Sequence, residues 1–499
     1  MARTFYTIDT YGGKPAEYGL LPFRFMRLNG QQSVVVNDVG DYALLGHDDV
    51  AALTRHRLQP GTPLYKSLKA KHFLYDTDSA PLLDVLATKY RTKKSFLNGF
   101  SRLHIFVVTL RCEHSCHYCQ VSRQSTDRSR YDMTPETAER SLQLMMRSPA
   151  KAMTLELQGG EPLLAFDTIR HIVPRAKELA AQHSKDLQIV VTTNLAVATP
   201  DILRYFRDER IRVSTSLDGP AYIHNKNRPR PGNDSYERAI QNINLAREIL
   251  GRENVAAVMT TTQLSLDYPV EIVDEYVRQD FRSIFLRSIS PYGFAVKTRK
   301  KTGYQMDRFL EFYKTAFDHI LNLNLQGIPL VEVYASLLFT KMLTPFSTGY
   351  VDLQSPAGAG ISVLVYNYDG DVYATDEARM LAEMKDHSFR LGNVHRDCYE
   401  AIYNGPSFQR LTDAACNESL PGCSQCAFQP YCGADPVFHH ATQGDLYGHR
   451  PTSAFCHKNM KIIKYLFEKL ATADRNLMRV FFEWIRGQRI ADSEVDKCA

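Results

Sequence analysis

The chain has 499 residues, 44% hydrophobic and 23% charged, with a formal net charge of +5 and ten cysteines. That length exceeds one ordinary domain and implies two or three, and the composition is that of a globular protein rather than a disordered or fibrous one. The mild charge does not imply nucleic acid as a partner, the start Met1-Ala-Arg-Thr-Phe5 lacks a secretory apolar core, and no window has the apolar length of a membrane span. The expected compartment is therefore the cytoplasm, with no membrane partner.

Residues 1–95 hold no cysteine. Phe23 to Leu28, Ser33 to Val36 and Tyr42 to Leu45 read as short strands, separated by Asn29-Gly30 and Asp38-Val39-Gly40 turns. His47-Asp48-Asp49 caps a helical pattern to Arg57, and Leu64 to Phe73 forms a second. Strands followed by short helices fit a small winged-helix-like module. It is either a packing extension or a surface that takes a peptide as an added strand.

From Leu103 strands and helices alternate. Strands are predicted at His104–Thr109, Met153–Leu157, Ile189–Thr193, Arg212–Leu217, Ala256–Thr261 and Ser283–Arg287, with amphipathic stretches between them, one opening at Thr134-Pro135-Glu136. Six such units over 100–305 imply an α/β fold, a parallel sheet curled into a partial (β/α)6 barrel. Loops leaving the strand C-termini of such a barrel converge on one mouth, so the chemistry belongs there.

The first strand runs into Cys112-Glu-His-Ser-Cys116-His-Tyr118-Cys119. Three soft thiolates within eight residues suit a metal cluster, and their odd number argues against a disulfide staple. After the second strand comes Gln158-Gly159-Gly160-Glu161-Pro162, where glycines let backbone approach a ligand and Glu161 offers a carboxylate. The third strand ends in Thr192-Thr193-Asn194, the fourth in Ser214-Thr215-Ser216-Leu217-Asp218-Gly219, with Arg228 shortly beyond. Lys297-Thr-Arg-Lys-Lys301 reads as a solvated basic loop, and 306–348 as a helical connector.

The region 349–460 opens with a hairpin, Ser362 to Tyr373, turning at Asp369-Gly370. Cys416, Cys423, Cys426, Cys432 and Cys456 follow, and the spacing of the last four can hold a second [4Fe–4S] cluster or zinc. Cys416 reads as a spare thiol, Cys398 and Cys498 as incidental, and 461–499 as a helical tail.

The spacing of Cys112, Cys116 and Cys119, with Tyr118 before the last, resembles the signature of radical S-adenosylmethionine (SAM) enzymes. The resemblance implies a [4Fe–4S] cluster on these three cysteines whose open iron binds SAM. It implies too that Gly159, Gly160 and Glu161 form the loop for the SAM amino group, that Arg228 holds the SAM carboxylate, that Ser216 belongs to the same site, and that Asn194 faces the ribose. The C-terminal cysteines resemble a SPASM domain that keeps one auxiliary [4Fe–4S] cluster, on Cys423, Cys426, Cys432 and Cys456. The other auxiliary cluster is expected to be absent, because the stretch Pro356 to Gly360 before the hairpin has no cysteine, Thr375 stands where that domain carries one, and the later cysteine is missing from Gly433-Ala-Asp435-Pro436 after Cys432. Asp376 sits where sulfatase-maturating relatives place a proton-abstracting aspartate.

Pro22-Phe-Arg-Phe25, Asp376-Glu377-Ala378-Arg379-Met380 and Cys432-Gly-Ala-Asp-Pro436 resemble the B-type radical SAM maturase of His-Xaa-Ser peptide systems. That implies a ribosomally made precursor peptide as substrate, hydrogen abstraction from a side-chain carbon giving a cross-link or oxidation, and an electron donor such as flavodoxin or ferredoxin. A second radical SAM maturase is implied as a partner, and residues 1–95 as a leader-peptide recognition element. The alternatives are an anaerobic sulfatase-maturase-like oxidation of Ser or Cys and a SAM-sensing nucleic-acid-binding protein.

Overall fold

The structure is a computed structural model in which residues 17–77 and 79–488 are described; residues 1–16, 78 and 489–499, with Cys498 and the expected signal-free start among them, lie outside the described residues. The N-terminal segment forms a three-stranded antiparallel meander, β1 (Phe23–Arg27), β2 (Gln32–Asn37) and β3 (Tyr42–Gly46). Helices His47–Thr54 and Pro63–Ala70 follow, then a third, Ala80–Lys93. Asn37 shapes the β2–β3 turn, its Oδ1 accepting from Val39 and Asp41 backbone N–H at 3.1 and 2.9 Å.

The central sheet is built from β4 (Leu103–Thr109), β5 (Ala152–Gly159), β6 (Asp186–Thr192), β7 (Arg212–Ser216) and β8 (Val255–Val258). All four neighbouring pairs are parallel, in the order β8-β7-β6-β5-β4. β4 is almost wholly buried, which is why it reads as an unbroken apolar run. The helices between strands are set by their first residues. Thr134 and Thr199 each accept a backbone N–H three residues on, with proline in the first helical turn.

The sixth strand departs from the expected six-unit barrel. β9 is only Ser283–Ile284 and pairs in parallel with β10 (Val331–Glu332) in a separate two-stranded sheet, touching the central sheet's edge through a single bridge, Thr261 to Ser288. Two long-range contacts cause it: Thr260 N–H turns toward the Asp218 carboxylate (3.3 Å), ending β8, while Leu286 N–H is taken by the Glu332 side chain (3.2 Å). On the opposite edge the hairpin β11 (Val363–Tyr366) and β12 (Asp371–Tyr373) joins the barrel. β11 runs parallel to β4, and β13 (Arg390–Asn393) completes an eight-stranded sheet. The Cys-rich region is thus continuous with the barrel sheet and not a detached cap. The boundary expected at 460/461 falls inside one helix, Ala454–Thr472. The connector is two helices, Met306–Leu325 and Val333–Leu343, with β10 between.

Glu332 joins these parts. Wholly buried, it accepts from the Ala335 N–H (2.6 Å), the Tyr334 N–H (3.3 Å), the Leu286 N–H and the Tyr313 hydroxyl (2.8 Å). It caps one connector helix and ties it to the other and to the strand end. Replacing Glu332 by Ala orphans these buried donors, and a loss of about 3 kcal/mol is expected. A clearly lower unfolding temperature by scanning fluorimetry checks this; an unchanged temperature refutes it.

Candidate active site

The cysteine loop is clamped before any ligand is considered. Arg111 forks onto Asp132 with two 2.7 Å contacts, and the Thr109 hydroxyl donates to the same carboxylate at 2.6 Å. Gly160 N–H and Glu161 N–H donate to the carbonyls of Thr109 and Arg111, both at 2.8 Å. A Cβ on Gly159 would lie 2.0 Å from the Thr109 oxygen, and one on Gly160 2.3 Å from the Arg111 oxygen. The glycines are therefore required by the approach of this chain's own backbone.

From the other side, Phe294 N–H donates to the Cys119 carbonyl (2.8 Å) and the Thr298 hydroxyl to that of His117 (2.7 Å). The basic run 297–301 keeps Lys297, Arg299, Lys300 and Lys301 exposed, but it is wound into helical turns whose inner face holds the cysteine loop, where a solvated loop was expected.

Cys112, Cys116 and Cys119 are free and half-buried. Burial pushes the Cys116 thiol up to about 12, opposed by the nearby Arg228. Arg228 is itself held: Nε and Nη2 contact the two carboxylate oxygens of Asp218 at 3.0 and 3.1 Å. The Tyr118 hydroxyl donates to the same carboxylate at 2.7 Å, and the guanidinium lies over the Tyr118 ring, 5.3 Å from its centroid. Asp218 is 0% exposed. Its burial, the largest influence, raises the carboxyl, yet Arg228 and His224 outweigh it and hold the group below its ordinary range. Sequence reasoning quoted Asp218 but gave it no role. An acid two residues past a strand end at the mouth, ten before the arginine, was the available signal.

Glu161 is equally buried. One oxygen accepts from the Leu163 N–H (3.0 Å) and the Thr193 hydroxyl (2.6 Å), the other from the Asn194 N–H (2.8 Å). Burial, and next the neighbouring Glu113, push it up to about 8. The Asn194 amide reaches Glu113 (2.8 Å) and His114 (3.0 Å) of the cysteine loop. Glu161 and Asn194 therefore weld the ends of β5 and β6 to that loop. Ser216 ends β7 opposite Val258, and its hydroxyl meets no partner among the described residues.

Asp376 opens helix Asp376–Glu383, capped by Thr375, whose hydroxyl accepts from Ala378 N–H at 3.0 Å. Its Oδ1 is held at 3.2 Å by Arg379, fully buried, which also reaches the Val121 carbonyl just past Cys119. Asp376 also bears on the half-buried Glu156 of β5, whose carboxyl is raised by desolvation first.

Cys423, Cys426, Cys432 and Cys456 converge as a second group. Cys423 and Cys426 each feel the charge of at least one other, Cys456 that of all three, and each of the four thiols is raised by burial. The buried Arg450 faces Cys423, within hydrogen-bonding reach of its thiol, and its charge bears on Cys432 and Cys456 as well. A buried guanidinium beside three of the four thiols fits an anionic tetrathiolate cluster. Cys416 stands apart, beside Glu418 and Lys94, and Cys398 is exposed at a helix start.

Residues 106–276 match the Radical SAM superfamily model. The chain is 26% identical over 155 residues to the radical SAM cyclopropyl synthase TigE of Paramaledivibacter caminithermalis, a match spanning only 32% of that protein and 28% of this chain. It is 21% identical over 374 residues to the cysteine-type anaerobic sulfatase-maturating enzyme of Clostridium novyi, spanning 72% of this chain and 95% of that one. Among solved structures, native anSMEcpe with bound AdoMet superposes with a TM-score of 0.60 at 17% identity, covering 74% of this chain and 98% of that one. Streptococcus suis SuiB bound to precursor peptide SuiA gives 0.51 at 14% identity, covering 87% and 98%. With the three-cysteine loop at the sheet's C-terminal mouth, these matches show a Radical SAM superfamily domain over residues 106–276, in a chain whose relatives named above are enzymes.

Proposed function

We propose that this enzyme modifies a ribosomally made precursor peptide by radical chemistry, in the manner of the B-type maturase of His-Xaa-Ser systems. The observation that carries the reading is the coexistence of two cysteine sets, one at the barrel mouth and one in a region sharing the barrel's sheet. Support also comes from the solved precursor-peptide complex of SuiB.

The cluster and SAM, when bound, supply an electron and a deoxyadenosyl radical that takes a hydrogen from a side-chain carbon, leaving a cross-link or an oxidised residue. Cys112, Cys116 and Cys119 would hold the first cluster and Cys423, Cys426, Cys432 and Cys456 the second. Gly159, Gly160 and Glu161 line the place for the SAM amino group, Arg228 offers its remaining donors to the carboxylate, and Asn194 and Ser216 stand at neighbouring strand ends. The buried Asp218 keeps Arg228 in one orientation. The helical turns at 294–302 cover the cysteine loop and exclude water from it. Asp376, fixed by Arg379, is the candidate acceptor for the proton released at the substrate carbon.

A cytoplasmic setting, a flavodoxin or ferredoxin donor and a second radical SAM maturase complete the proposal, and residues 1–95 would take the leader. The sulfatase-maturase reading is the second one, favoured by the match to the Clostridium novyi enzyme. The two part at the product: both remove two hydrogens, but only Ser or Cys oxidation leaves a group that reacts with hydrazide.

Reductive cleavage of SAM to 5′-deoxyadenosine is expected, stimulated by the precursor peptide and lost in Cys116→Ala; cleavage persisting in that variant overturns the reading. Anaerobic iron analysis with Mössbauer spectra is expected to give about eight irons, falling to about four when Cys112, Cys116 and Cys119 are all Ala. Four falling to none would leave the C-terminal set with zinc or empty. Asp218→Asn, which leaves Arg228 buried without its countercharge, is expected to weaken SAM binding by about tenfold or more at full iron occupancy. Anaerobic equilibrium dialysis reads this, and an unchanged affinity would remove Asp218 from its positioning role.

A further inference from the structure

The helix Ala454–Thr472, which supplies Cys456 to the second cysteine set, carries Asn459 three residues on and on the same face. Asn459 is 1% exposed, and an amide buried inside a helix is tolerated when both of its ends are used. Both are: Oδ1 accepts from the Tyr334 hydroxyl at 2.7 Å, and Nδ2 donates to the Cys432 sulfur at 3.6 Å, its one partner among the described residues. A neutral thiol is a poor acceptor, whereas a thiolate that carries cluster charge is a strong one.

Tyr334 fixes which way the amide faces. Its N–H is taken by Glu332 (3.3 Å), its ring stacks on Phe285 with centroids 5.9 Å apart, and Lys458 lies over the ring at 5.7 Å. With the hydroxyl donating to Oδ1, the N–H end of the amide is the one left facing sulfur. Cys432 also gathers positive surroundings. The charges of the buried Lys341 and Arg450 both bear on its sulfur. Lys341 is tied there through the backbone: its Nζ donates to the Leu353 carbonyl, and a Cβ on Gly433, next to Cys432, would lie 2.1 Å from the Asp352 oxygen. Cys426, by contrast, receives a main-chain donor, the Phe428 N–H at 3.4 Å, which does not depend on the side chain at 428.

We propose that Asn459, oriented by Tyr334, is a positioning residue for the second cluster, and that its N–H···S bond to Cys432 raises the cluster's reduction potential. The assignment rests on the reading that Cys423, Cys426, Cys432 and Cys456 hold a [4Fe–4S] cluster. Reduction adds one negative charge to the cluster and its thiolates, so a donor aimed at a thiolate favours the reduced state over the oxidised one. Burial alone works the other way, because low-dielectric surroundings oppose added charge. The amide makes the second cluster easier to reduce than its burial would allow.

The test uses the full chain with Cys112, Cys116 and Cys119 all Ala, reconstituted anaerobically so that it carries the second cluster alone, in a redox titration followed by electron paramagnetic resonance. Tyr334→Phe with Asn459→Leu removes both hydrogen-bonding partners together and leaves neither orphaned. The pair is expected to lower the reduction equilibrium constant about tenfold, near the lower limit for a hydrogen bond to a charged group and equal to about 59 mV for one electron. Tyr334→Phe alone is expected to lower it too, but to add nothing once Asn459 is Leu. An iron content of about four per chain shows that each variant keeps its cluster.

An unmoved potential at full iron, or an equal effect of Tyr334→Phe with and without Asn459, overturns the assignment. A second measurement leaves the site unaltered. In the same chain with heavy nitrogen in its asparagines, spin-echo spectra of the reduced cluster are expected to show coupling to that nitrogen, and its absence overturns the assignment as well. A chain that takes up no iron after loss of the first three cysteines fails the second-cluster reading and the assignment with it, whereas iron without these effects fails the assignment alone.

Discussion

The interaction on which the site depends is the buried ion pair of Asp218 with Arg228. A carboxylate with no exposure is tolerable only if its charge is matched and its lone pairs are used. Here Arg228 takes both oxygens, Tyr118 donates from inside the cysteine loop, and Thr260 N–H donates from the end of β8. One carboxylate thus fixes the loop that carries the thiols, the arginine beside them and the point where the last strand leaves the sheet. The site is built before any cofactor arrives. Breaking the pair would release three elements together, because a buried guanidinium without its acid cannot stay where it is.

The second constraint is steric. β4 and β5 end so close together that the two glycines have no room for a side chain, and the hydrogen bonds across that gap set the level of Glu161. Glu161 then reaches across to the end of β6. Three strand ends are pinned by one backbone contact and one carboxylate, which gives the mouth a fixed geometry that a loop alone would lack.

Much of this was legible. The unbroken apolar run before Cys112 and the period of the next four strands gave the sheet, and thiolate spacing gave both cysteine groups. Missing was what depends on partners far away in sequence. The sixth strand looked like the others because its residues are β-prone, but its backbone donor at Leu286 is claimed by Glu332, forty-six residues on. Asp218 looked like a turn residue because nothing local shows that Arg228 folds back on it.

The shared sheet bears on how the parts can work together. β11 pairs with β4, the strand that leads into the cysteine loop, so the Cys-rich region cannot swing away without breaking main-chain hydrogen bonds next to the site. The N-terminal module is tied to that same region: Arg24 donates to the carbonyl of Ser424, between Cys423 and Cys426, the Tyr431 hydroxyl donates to Gly40 at 2.8 Å, and Tyr42 packs edge-on against Phe467. A peptide that loaded β1 at the meander's edge would therefore press on the loop of the second cysteine group, not on the barrel directly. The second cysteine group thus lies where the N-terminal module meets the rest of the chain.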